Sequence, residues 1–238
     1  MEWKSVDGVR RWFVVVALVL GPVLAVLSVV VGLGPEPESM RESFDVMATR
    51  SPQILAQDLL ETAGFALVLA ALIGAATALR SRGGALGLIG VVLAYAGIVG
   101  FAISNASGLG IVALAQLPDR DAAFETAVAV TSDGPLAVAQ TAGMVLEIAG
   151  QLGILILILG LWRARLLPLW VLIPVVLGIL VNAVVGTLLA TLVADVLLLA
   201  TGAWIAVRLA RASHGAWLGT EVPSRRSKAA TSAAATAA

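Results

Sequence analysis

The stretch from Pro135 to Trp162, PLAVAQTAGMVLEIAGQLGILILILGLW, holds one ionisable residue, Glu147, in an otherwise apolar and weakly polar run. At ~1.5 Å per residue a helix of that length crosses the ~30 Å hydrocarbon layer of a bilayer. A carboxylate there costs ~2.5 kcal/mol or more unless it is protonated, paired or wetted. The run therefore predicts two things at once: a membrane-spanning helix, and a compensating environment built around Leu146-Glu147-Ile148-Ala149-Gly150-Gln151.

The remainder of the chain has the same character. Of 238 residues, 60% are hydrophobic and 13% charged, whereas soluble domains carry about 25% charged residues. There is no cysteine, which excludes disulfides and thiolate metal sites, and the one histidine, His214, lies in the polar tail. Haem held by paired histidines inside the membrane is excluded with it, and no cofactor is expected.

Uncharged runs predict an all-α polytopic protein with six spans, at about 12–33, 59–79, 85–105, 136–162, 166–185 and 187–208. Residues 1–11 form a short polar start. The twin arginine Arg10-Arg11 fits a signal anchor better than a secretion signal, because the apolar run is long and no small-x-small cleavage site follows. Pro22 is expected to kink the first span.

Gly34 to Arg50 reads as an acidic loop with one amphipathic turn around Phe44 and Met47, and Ser51-Pro52 as the start of the second helix. The uncharged run after Ala85 is too long for one upright span, so a break is expected near Asn105 to Gly110, with Ile111 to Leu117 at the interface. Asp119 and Asp121 suit the start of a short helix through Phe124 and Val128. Val185-Gly186 marks a tight turn between the last two spans. Residues 212–238 end in a low-complexity Ala/Thr/Ser run, for which disorder is expected.

Basic residues set the orientation. With both termini cytoplasmic, twelve of the fifteen Lys and Arg residues face the cytoplasm, and only Arg41, Arg50 and Arg120 lie outside. The location expected is the cytoplasmic (plasma) membrane, with the lipid bilayer as the chief partner. The basic residues are scattered as topology signals and form no stripe for nucleic acid.

Leu60-Glu61-Thr62-Ala63-Gly64 and Leu146-Glu147-Ile148-Ala149-Gly150 share the pattern L-E-x-A-G, and each begins a span that ends in R-x-R. Leu88 to Leu93 and Leu172 to Leu177 then agree in order and approximate spacing. Helices two and three, and helices four and five, thus read as two copies of one hairpin, with Glu61 and Glu147 as counterparts.

Helical spacing puts Gln140, Gly143, Glu147 and Gln151 on one face of the fourth span, and Thr187, Thr191 and Asp195 on one face of the sixth. Pro174, Gly178 and Asn182 align on the fifth, and Tyr95, Ser104 and Asn105 lie on the third. Glu61, Glu147, Gln151 and Asp195 are the candidate intramembrane site, with Gln140, Asn105, Asn182 and Thr191 secondary. Neither Glu147 nor Asp195 has a Lys or Arg within its span to pair with. They fit neutral acids sharing hydrogen bonds, proton carriers, or ligands for a cation. The bland alternative is that Gln140, Asn105 and Asn182 only tie helices together at ~0.6 kcal/mol each, and that Glu61 reaches the outer interface. Gly87, Gly90, Gly97 and Gly100 read as close-packing sites.

Leu59-Leu60-Glu61 and Arg163-Ala164-Arg165-Leu166-Leu167-Pro168-Leu169-Trp170 are the pieces by which the chain resembles an uncharacterised bacterial family of six-helix integral membrane proteins, a domain of unknown function. The family's pattern at the second piece is R-x-R-L-[IV]-P-x-W. Leu169 stands where a basic residue often precedes the tryptophan. The resemblance implies a fold and a membrane location, and no activity.

No G-x-S-x-G, H-E-x-x-H or G-x-x-x-x-G-K-[ST] pattern occurs, so an enzyme is not expected. The function expected is a small transporter-like or ligand-binding protein with an outward-opening polar cavity for a small ligand, proton or cation. The alternative is a structural or interaction subunit that scaffolds a partner through its small-residue faces, which would also permit a homo-oligomer.

Overall fold

The computed structural model describes residues 6–34, 37–76, 79, 84–185, 187–212 and 214–217, and among them the chain is all-helical. Five helices are long and apolar enough to cross a membrane: α1 (Val6–Gly32), α3 (Ser51–Ala76), α4 (Gly84–Leu114), α6 (Pro135–Arg163) and α8 (Leu188–Arg211). Two short helices, α2 (Met40–Thr49) and α5 (Arg120–Ser132), sit at one end of the bundle, here called the cap end. At the opposite, arginine end lie the turn after α6, the start of α7 (Leu172–Val185) and the short α9 (His214–Trp217). Arg80 and Arg82, Gly186 and residues 218–238 lie outside the described residues.

The long helices pack as antiparallel neighbours. The most extensive contacts join α4 to α6 and α1 to α3; α1 also meets α8, α3 meets α4 and α7 meets α8, while a thinner contact of α6 with α7 closes the circuit. Lipid offers no hydrophobic drive for helices to associate, so backbones must approach closely for dispersion to hold them. Glycines provide that approach. A methyl group at Gly64 would come 2.7 Å from the Gly21 carbonyl oxygen, and one at Gly150 would come 2.5 Å from Cα of Gly97. These are the fifth residues of the two L-E-x-A-G motifs, so each motif sits where its helix crosses the preceding one. Gly87, Gly90, Gly97 and Gly100 are all buried against neighbouring helices, as close-packing sites should be.

Several boundaries differ from the sequence reading. The acidic loop contains a true helix, α2, whose N-cap Ser39 accepts from the Glu42 backbone N–H at 3.1 Å while the Glu42 carboxylate accepts from the Glu38 N–H. This S-x-x-E cap gives the segment a helix start that its prolines obscured. α4 does not break at Asn105 to Gly110; it runs unbroken to Leu114. Its 31 residues span ~46 Å, so it projects beyond a bilayer. The projecting tip is held by packing, because Ile111, Leu114 and Ala115 join Phe44, Met47, Ala123, Phe124 and Ala127 in a small core under α2 and α5. α5 begins at Asp119, whose side chain accepts from the Ala122 N–H.

The expected fifth span is shorter than read. α6 ends in a Schellman turn: Arg165 takes φ 62°, Leu166 N–H donates to the Leu161 carbonyl and Arg165 N–H to that of Trp162. A 3-10 turn over Leu169–Val171 follows, and only then the 14 residues of α7, ~21 Å of helix. Pro174 falls in the first turn of α7, where its missing N–H costs nothing. α1 runs continuously through Pro22. The tail is not wholly irregular, since α9 places Trp217 fully buried in the main core.

Arg11 closes the arginine end. It is only 9% exposed, and its guanidinium donates to the carbonyls of Leu209, Ala210 and Ala212. The last carbonyls of a helix have no intrahelical donor. Arg11 thus caps α8 from α1 and joins the first long helix to the last.

Candidate functional site

Two polar stripes face the cap end. On α3, Gln53, Gln57 and Glu61 recur every four residues, and on α8 Thr187, Thr191 and Asp195 do the same, which keeps each set on one helix face. The upper two rungs of both stripes line a cavity of about 440 Å³. Val31 and Gly32 from the end of α1, Pro37 ahead of α2, Ser43, Val46 and Met47 from α2, Arg50, Ile54 and Leu188 also line it. The third rungs, Glu61 and Asp195, lie one helical turn below, ~6 Å deeper along their helices. This cavity is the vestibule of the candidate site.

Glu61 and Asp58 are half-buried on α3, Asp195 on α8 and Glu147 on α6. None of the ion pairs among the described residues involves these four acids. Among the described residues no group of three His, Cys, Asp or Glu is close enough to hold a metal ion.

Glu147 is half-buried on α6, one turn before the Gly150 crossing. Gln140 and Gln151 are half-buried on the same helix. Neither Glu147 nor Gln151 lines the vestibule. Asn105 does tie helices together, its Nδ2 donating to Thr62 Oγ1 at 2.6 Å across the α4–α3 contact. Tyr95 points outward, 63% exposed, and belongs to no interior polar set. The Asn182 side chain lies outside the described residues. A second hollow, about 640 Å³, is formed by Ser132 to Gly134 and the first turns of α6; it draws on none of the candidate acids.

Arg50, Gln53, Gln57 and Asp58 are additions that the sequence reading did not single out. The signal was present as the four-residue spacing Gln53, Gln57, Glu61, but it fell before the apolar run taken as the second span. Arg50 forms the one-residue joint between α2 and α3. Its Nη2 donates to the Leu33 carbonyl at 2.9 Å and its Nε to Gln53 Oε1 at 2.7 Å.

The five long apolar helices define the class of the protein: an all-helical, membrane-spanning protein. Beyond the class, no family model, curated protein or solved structure matches the chain.

Proposed function

We propose that the protein is a small transporter-like membrane protein whose polar site opens at the cap end, with Glu61 and Asp195 exchanging a proton or cation reached through the vestibule. The observation that carries this is the placement of two half-buried carboxyls one turn below the cavity to which Gln53, Gln57, Thr187 and Thr191 contribute. Glu147, half-buried on α6, is the third carboxyl of the site. A proton fits better than a dehydrated metal ion, because a metal needs several ligands converging on one point and the described acids do not converge so closely.

In this reading the chain makes six passes with both termini in the cytoplasm, α7 completing the crossing with the turn before it, and the cap end faces outward. The membrane is the cytoplasmic one, as the resemblance to the six-helix bacterial family also implies. The equivalent positions of Gly64 and Gly150 at helix crossings support a duplication in which Glu61 and Glu147 are counterparts. The test is proton or cation flux in vesicles containing the purified protein. Glu61→Gln and Asp195→Asn are expected to abolish flux with the fold intact, and Glu147→Gln to slow it. Undiminished flux in the first two would overturn the proposal, and a stoichiometric partner recovered from native membrane with no flux would favour a scaffold.

A further inference from the structure

Resting on that reading of the vestibule, we propose that α2 is its gate, held shut by a latch on α5. The two faces of α2 do different things. Ser43, Val46 and Met47, spaced by three and four, line the cavity. Arg41, Phe44 and Asp45 face the other way, toward α5. Phe44 is 2% exposed and meets Phe124 edge-on with ring centroids 5.5 Å apart. Arg41 reaches Asp121 at 2.7 Å, Arg120 reaches Asp45 at 3.3 Å, and the Arg41 guanidinium lies 5.0 Å from the Phe124 ring centre. Gln116 also donates to the Ala48 carbonyl at 3.0 Å, holding the C-terminal end of α2.

The wall of the vestibule is thus fastened sideways, to the α4–α5 tip, as well as through Arg50 to the ends of α1 and α3. Its own covalent joints are slight. Arg50 alone separates it from α3. Hinges are a few residues at element ends that absorb the change in φ and ψ. Opening requires the loss of two exposed ion pairs, which are individually weak, together with the Arg41–Phe124 and Gln116–Ala48 contacts and the burial of Phe44 in the small core. Phe44, Arg41 and Asp45 withdraw together, and the Ser43–Met47 wall moves with them.

The natural absence of cysteine permits a direct test. Thr191→Cys puts one thiol in the vestibule of the full-length protein, and its rate of modification by a water-soluble thiol reagent is measured in lipid nanodiscs. Combining it with Phe124→Ala, or separately with Asp45→Asn and Asp121→Asn, is expected to raise the rate about tenfold, with the helical content unchanged. Raising ionic strength should speed modification of the Thr191→Cys protein itself, since salt screens exposed pairs. Equal rates in both latch variants and at all salt concentrations would overturn the gate. The readout is accessibility and not flux, so an absence of transport would refute the function proposed above while leaving the gate separately decided.

Discussion

Gly64 and Gly150 show how single atoms determine this fold. Each sits on a backbone contact that leaves no room for a methyl group, whereas Gly108 on α4 has nothing within 4 Å. The same substitution should then have opposite signs. Gly150→Ala is expected to destabilise by ~1–3 kcal/mol through overpacking, and Gly108→Ala to stabilise by up to ~1 kcal/mol through helix propensity. Thermal unfolding in detergent checks both. The sequence alone marked the glycines as packing sites, because small residues in apolar runs have few other uses. It also marked Glu61, Glu147 and Asp195 from their cost in lipid. Which of them lie below the vestibule was not readable, since that depends on how α3, α6 and α8 are rotated about their axes.

Helix ends were harder to read than helices. Hydropathy located every long apolar segment, but it misplaced the boundary wherever another interaction governed it. α4 continues past its glycines because the α2 and α5 core holds its tip. α7 starts late because Arg165 and Pro168 turn the chain first. Arg11, read as a topology signal, proves to be a capping residue, since nothing in its neighbourhood along the chain announces a partner 198 residues away. Arg11→Ala is expected to cost ~1.5–3 kcal/mol, the range for hydrogen bonds to a charged group. Arg11→Lys should restore only part of it, because an ammonium lacks the planar fork that reaches three carbonyls. Chemical denaturation of the purified protein, with hydrogen exchange at Leu209 to Ala212, distinguishes a frayed α8 end from general loosening.

Over the whole molecule, the cap end and the arginine end carry different duties. The arginine end is braced: Arg11 joins α1 to α8, Trp170 meets Trp204 in a tilted contact with ring centroids 4.7 Å apart, and Trp217 is buried. The cap end is hollow, with the vestibule one helical turn above Glu61 and Asp195, and is held by the small core around Phe44 and the ion pairs beside it. The central claim is that the vestibule and the carboxyls below it form one path. The most direct measurement is flux through vesicles containing the Thr191→Cys protein, before and after a bulky thiol reagent is added at the cap end. A single path predicts that flux stops on modification and returns on reduction. Flux that continues through the fully modified protein would contradict it.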